Sequence, residues 1–240
     1  MSIMTLAFIG GIVSLLSTSL GSLVAPVFTK IEKLRKCRLS MDFALGVMLS
    51  AVAFSLVGPE LLKGNDLLKV MLGLFSGILF IGITHKVIHH LSHGHAQSGK
   101  MLLIAALIFH NFPEGMGAGA SLAGMELTQA IPLQVAISIQ NVAEGLLLTL
   151  LLRGFGLSMF WAVIGGIASG LLEMTGALSA GVLLEQTRNI LPFLLSLAGG
   201  AMLMSVGLEV KENFNIGRGI EKSQFIWGLV TIPITNFLLN

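Results

Sequence analysis

Two short stretches place groups able to hold a metal ion inside strongly apolar surroundings: His110-Asn111-Phe112-Pro113-Glu114-Gly115 and Gln140-Asn141-Val142-Ala143-Glu144-Gly145. Both follow one template, a polar residue, then Asn, two others, then Glu-Gly. On a helix, positions four apart stack on one face, so His110 lies over Glu114 and Gln140 over Glu144, with Asn111 and Asn141 about 100° round. An imidazole nitrogen, two carboxylates and amide oxygens make a mixed N/O donor set. That set suits Zn²⁺, and also Fe²⁺, Mn²⁺, Co²⁺ or Cd²⁺, while a tight soft-metal trap would need thiolates. Two ionised carboxylates buried together repel and are poorly solvated, and a divalent cation between them cancels their charge. A lone intramembrane His, Asn or Gln can serve instead as interhelical hydrogen-bonding glue. The repetition, with identical Asn and Glu-Gly offsets, favours the metal.

The elements that must position these groups are membrane spans. The 240-residue chain is 54% hydrophobic and only 11% charged, with a mean hydropathy of +0.90, against about 25% charged residues in soluble domains. Taking about 20 apolar residues per span, eight segments emerge, at roughly 4–28, 42–62, 67–88, 101–124, 130–152, 157–184, 190–210 and 225–240. The loops between them are short, so the chain reads as one all-α polytopic domain over 1–240 surrounded by membrane lipid. The first apolar run is too long for the core of a signal peptide, and its positive charges follow it, so it reads as a retained span. Pro113 removes a backbone hydrogen bond and crowds the carbonyl of Phe109, which predicts a kink beside the His110 and Glu114 side chains. Glycine is abundant, with 29 residues, and the pairs Gly73/Gly77, Gly115/Gly119 and Gly166/Gly170 are spaced for close helix packing, a homodimer face being the alternative use.

Charge fixes the expected orientation. Lys30, Lys33, Arg35, Lys36, Arg38, Lys86, Lys100, Arg153, Lys211, Arg218 and Lys222 fall in or beside the loops after spans 1, 3, 5 and 7; the opposite loops hold only Lys63, Lys69 and Arg188. By the positive-inside rule the first set is cytoplasmic and both termini face outward, as expected of a multi-pass protein of the plasma (inner) membrane. A net charge of +2 spread this way gives no footprint for nucleic acid. Cys37 is the sole cysteine, which excludes an intrachain disulfide and a clustered thiolate site.

Further candidate residues surround the two motifs. Glu173, in the middle of span 6, has no cation nearby in sequence and is an additional ligand candidate. Met48 and Ser55 are seven apart on one face of span 2, where the thioether could touch a soft ion or simply pack. Glu60 would gather cations at the outer entrance, and Glu209 with Glu212 at the inner exit. In the cytoplasmic loop 89–100, His89, His90, His93 and His95 form a dense tract that reads as a weak receiving site for metal.

With these residues in view, the sequence resembles the ZIP family (Zrt-, Irt-like proteins) of divalent-metal transporters, particularly its prokaryotic members. The likeness rests on His110 through Gly115, Gln140 through Gly145, Glu173 in its Ser-Gly-Leu-Leu-Glu run, and Gly199-Gly200-Ala201-Met202 in span 7. It implies eight transmembrane helices in a 3+2+3 arrangement, the two motif helices central between three-helix units related as inverted repeats. It also implies zinc transport into the cytoplasm through a binuclear site. There His110, Glu114, Gln140 and Glu144 would hold the transported ion with Met48 adjoining, and Asn111, Asn141 and Glu173 would serve a second metal bridged by Glu114 and Glu144. Ser55 would lie at the entrance. This chain departs from the pattern in having Gln140 and Ala143 where many members have His and Pro, and Asn141 where some have Asp. An intramembrane metal-dependent hydrolase is the rival reading, since bound zinc can activate water, but no His-Glu-x-x-His motif occurs.

Overall fold

The computed structural model describes residues 1–30, 41–64, 66–91, 108–215 and 219–239. Among these residues every regular element is helical, and six helices are long and apolar enough to cross a membrane. We label the rods α1 (Ile3–Lys30), α2 (Met41–Ala51), α3 (Leu67–Leu91), α4 (Asn111–Gly124), α5 (Leu127–Gly154), α6 (Met159–Gln186), α7 (Leu191–Asn215) and α8 (Lys222–Leu239). α2 ends at Ala51, short of the 42–62 expected of that segment, and two further short elements continue its rod. The surface is inside-out relative to a soluble protein. Leu16, Leu20, Leu23, Leu79, Trp161, Trp227 and Phe237 are exposed, while Ser14, Thr18, Ser22, Glu114, Gln140, Asn141 and Glu173 are buried. Apolar side chains outside and polar ones within is the arrangement lipid imposes.

Two prolines shape the rods that matter. α2 runs into a π-helical turn, Val52–Leu56, closed by the Val57 N–H on the Val52 carbonyl at 3.0 Å, and then into a short helix, Gly58–Lys63. Pro59 has no N–H to offer the Ser55 carbonyl and its ring crowds that oxygen, which accounts for the wider turn just before it. Gly64, at φ 70°, ends the rod in the left-handed conformation glycine tolerates. In the fourth segment the helix is interrupted at His110, which is in a turn, and restarts at Asn111. Pro113 then sits in the first turn of α4, where a missing N–H costs nothing. The predicted kink is therefore an interruption, and it puts His110 at the N-terminal edge of α4.

α1, α4, α5 and α6 all pack against one another. Outside this group α3 lies along α7 and α8 along α2, with α7 also touching α2. The two sets meet where α4 touches α7 and where α5 touches α2 and α8.

Candidate metal centre

The histidine and the three motif residues beside it converge at the interface of α4 and α5. The His110 Nε2 lies 3.0 Å from Glu144 Oε2 and 4.0 Å from Glu114 Oε2. All three side chains are buried, and one ligand atom from each lies within 4.8 Å of the others. Ligands about 2.0–2.2 Å from a tetrahedral zinc stand roughly 3.4 Å apart. The observed 3.0 and 4.0 Å from the imidazole straddle that separation, so the three donors stand near the spacing an ion needs. The Gln140 amide Nε2 donates to Glu114 Oε1 at 2.6 Å and to Glu144 Oε1 at 3.0 Å. It thus places its partial positive charge between the carboxylates, the place a cation would take. Glu114 Oε2 and the Gln140 carbonyl oxygen have no hydrogen-bond partner although buried. Unpaired buried oxygens are costly, and a cation bound among them would remove that cost. Glu114 also lies in the first turn of α4, where the helix dipole favours negative charge.

The two asparagines do not join this cluster. Asn111 Nδ2 donates to Ser169 Oγ at 2.6 Å and to Glu173 Oε1 at 3.1 Å, and Asn141 Nδ2 donates to Glu173 Oε2 at 2.6 Å. Thr18 of α1 donates its hydroxyl to Glu173 Oε1 at 2.6 Å. The six motif groups therefore divide between two clusters, one around the histidine and one around the α6 carboxylate. The reason lies in the helical spacing: Asn111 is turned about 100° from His110, toward α6, and Asn141 likewise from Gln140.

The glycine that ends each motif sets these distances. A Cβ at Gly115 would overlap the backbone carbonyl of Glu173 on α6, and one at Gly145 would overlap the carbonyl of Thr18 on α1. At both positions a neighbouring backbone occupies the space a side chain would need. Thr18 and Ser169 were not anticipated as partners. Ser14, Thr18 and Ser22 recur every fourth residue in α1 and are all buried, so a hydroxyl face on an otherwise apolar span was the available signal.

The chain matches no family profile. It is 31% identical to the zinc transporter GufA of Myxococcus xanthus, an alignment covering 93% of this chain and 95% of that protein. It is 36% identical to the zinc transporter ZIPB of Bordetella bronchiseptica, over 85% of this chain and 71% of that protein. The chain belongs to the ZIP family. A shorter match, 37% identity over 44% of the chain, joins it to the zinc transporter ZIP11 of Xenopus tropicalis. Family membership fits an all-helical, multi-pass membrane protein whose buried His110, Glu114 and Glu144 could hold a metal ion.

Sequence also singled out other residues of this ZIP-family chain, on α2, α3, α7, the π turn and the short helix Gly58–Lys63. Met48 is buried on α2 among Leu45, Val47 and Ala51, on the rod that packs against α5. Ser55 is buried in the π turn, and Glu60 is buried on the short helix after it. Glu209 is partly buried on α7. The side chains of Glu212 and His89, together with His93 and His95, lie outside the described residues, and His90 is exposed at the end of α3. Asp42 accepts a hydrogen bond from the Glu221 N–H at 3.2 Å, tying the start of α2 to the start of α8.

Proposed function

We propose that this protein carries Zn²⁺ across the plasma (inner) membrane into the cytoplasm, binding it between α4 and α5 through His110, Glu114, Gln140 and Glu144. The observation that carries the reading is the buried trio of His110, Glu114 and Glu144, whose ligand atoms already stand within 4.8 Å of one another. The long matches to proteins named zinc transporters support zinc as the cargo, and the same N/O donor set would admit Fe²⁺, Mn²⁺, Co²⁺ or Cd²⁺. An ion entering the site places two positive charges against Glu114 and Glu144, so the loaded site is neutral and the carboxylates lose their mutual repulsion. Gln140 turns its carbonyl oxygen to the ion in exchange for the amide hydrogens it now offers the carboxylates. A carbonyl is a weaker ligand than an imidazole, which suits a site that must release what it binds.

Access alternates in our reading. α1, α4, α5 and α6 form one body that carries the site, and α2, α3, α7 and α8 form the frame it moves against, with Met48 and Ser55 on the frame facing the ion's route and Glu60, Glu209 and Glu212 at its ends. The glycine contacts support this division. Within each set several crossings bring backbone to backbone, Gly21 meeting the Val142 carbonyl, Gly176 that of Phe112, Gly46 that of Phe225 and Gly77 that of Leu197, alongside side-chain contacts such as Gly181 with Ala7 and Gly199 with Val57. Between the sets the α4 glycines meet side chains, Gly117 the Ala198 methyl and Gly124 the end of Leu191. Side-chain ends yield to sliding more readily than interlocked backbones. The 3+2+3 arrangement, a single domain over 1–240, outward termini and loop histidines His89, His90, His93 and His95 that receive the released ion complete the proposal. Nothing observed favours a hydrolase.

Zinc uptake into proteoliposomes tests the reading. H110A and E144A are each expected to abolish uptake while the protein stays monodisperse, and undiminished uptake by either variant would overturn the assignment.

A further inference from the structure

The resemblance to the family implies a second metal beside the first, held by Asn111, Asn141 and Glu173. The residues present do not fit one. Both Glu173 oxygens already accept hydrogen bonds, Oε1 from Thr18 and Asn111 and Oε2 from Asn141. The two asparagines that would be ligands present their nitrogens to the carboxylate, and it is their oxygens that are left without partners. An amide nitrogen carries no lone pair for a metal. The first site needs one amide, that of Gln140, to turn over, whereas an ion against Glu173 needs two amides to turn and the Thr18 hydroxyl to let go, all inside a fully buried cluster.

Charge leads to the same result. Glu114, Glu144 and Glu173 supply three negative charges at this depth, with His110 neutral as a ligand. One divalent ion at the first site neutralises Glu114 and Glu144 and leaves one negative charge, on Glu173, which its three donors stabilise. Two divalent ions would leave an uncompensated positive charge in a low-dielectric interior, which is strongly disfavoured. A carboxylate at position 141 would restore the balance and remove the amide that closes off Glu173 Oε2.

We infer that this chain holds a single metal ion, that Glu173 is a hydrogen-bonded anchor for Asn111 and Asn141 rather than a ligand, and that Asn141 sets the stoichiometry. The inference rests on the proposed zinc site and refines it. Thr18, Asn141 and Asn111 belong to three different helices, so the anchor on α6 ties α1, α5 and α4 together beside the ion instead of holding another.

The test is zinc content per chain in lipid nanodiscs, measured by mass spectrometry after equilibrium dialysis. The background carries Ala at His89, His90, His93 and His95, so that loop-bound zinc is not counted. One ion is expected for the parent protein and for E173Q, and two for N141D, with monodispersity checked for each variant. Two ions in the parent, or loss of the ion in a folded E173Q, overturns the inference, as does a folded N141D that stays at one. Zinc uptake by the same protein reconstituted in proteoliposomes separates the two readings. Two ions with normal uptake refute only the single-ion inference, whereas no bound ion and no uptake refute the transport reading itself.

Discussion

Gly115→Ala isolates what the motif glycine contributes. The added Cβ would stand 2.5 Å from both the Cα and the carbonyl carbon of Glu173, and closer still to the carbonyl oxygen, where 3.4–4 Å is ordinary contact. Neither side can yield by a rotamer change because both are helix backbone, so α4 and α6 must part by about 1 Å. Overpacking of this kind costs about 1–3 kcal/mol. The same displacement carries the Asn111 amide, now 3.1 Å from Glu173 Oε1, beyond hydrogen-bond reach, and a bond to a charged group contributes about 1.5–3 kcal/mol. Allowing for overlap between the two effects, we expect a loss of about 3 kcal/mol, or about 6–12 °C in melting temperature for a chain of this length. Gly207→Ala is the control. A Cβ there meets nothing within 4 Å, and Gly to Ala inside an exposed helix gains about 0.5–1 kcal/mol, so its melting point should rise. The assay is thermal unfolding in one detergent followed by the fluorescence of Trp161 and Trp227, with zinc affinity measured alongside. A G115A protein that melts and binds zinc like the parent would refute the account of the α4–α6 crossing.

Three further outcomes are expected. Q140H should tighten zinc binding by about tenfold, roughly 1.4 kcal/mol, by replacing an amide oxygen with an imidazole, and should slow uptake; tighter binding with faster uptake would count against a site tuned for release. T18V keeps the shape of the side chain but deletes the hydroxyl that Glu173 Oε1 accepts, and unfolding measurements should show a loss of about 1.5–3 kcal/mol, whereas an unchanged melting point would show that the bond contributes nothing. In a C37S background, G117C/A198C joins the body proposed to move to its proposed frame, and A7C/G181C joins two helices of the same proposed body. Their Cβ separations, 2.8 and 2.7 Å, leave similar adjustments to disulfide geometry. Oxidation should stop zinc uptake reversibly in the first and spare it in the second, and equal effects would remove the support for two bodies.

Hydropathy made the spans legible, because a 20-residue apolar run has few ways to be satisfied other than by crossing lipid. The pairing of His110 with Glu114 and of Gln140 with Glu144 was legible for a similar reason, since four residues along a helix return to the same face. What sequence could not supply was the identity of the partners across helices. The sequence set Asn111 and Asn141 about 100° round from the histidine face, and only the resemblance grouped them with Glu173; that α6 brings Ser169 there as well was visible only in the structure. Thr18 lies 155 residues from Glu173 and resembles any other intramembrane threonine until α1 and α6 are seen side by side. The π turn at Val52–Leu56 was equally hidden, although Pro59 supplied its cause.

The Glu-Gly pair that recurs in both motifs is explained by a ring of contacts at one level of the four-helix body. Gly115 lets the α6 backbone approach α4 at Glu173, the Glu173 side chain reaches the Thr18 hydroxyl on α1, and the Thr18 carbonyl lies against Gly145 on α5. Gln140, on α5, then donates to Glu114 on α4 and closes the ring. Every link involves a motif residue or one that a motif glycine admits. Lipid offers no hydrophobic drive to hold helices together, so their association depends on close packing and on buried polar bonds. Here the two act at the same residues: the glycines bring the backbones close enough for short side chains to meet, and the polar bonds then offset the cost of having placed carboxylates there at all. A larger residue at 115 or 145 would therefore disturb Glu114 or Glu144, the proposed metal ligands one position away, as well as the helix packing. This is why the carboxylate and the glycine occur as adjacent residues in both halves of the site.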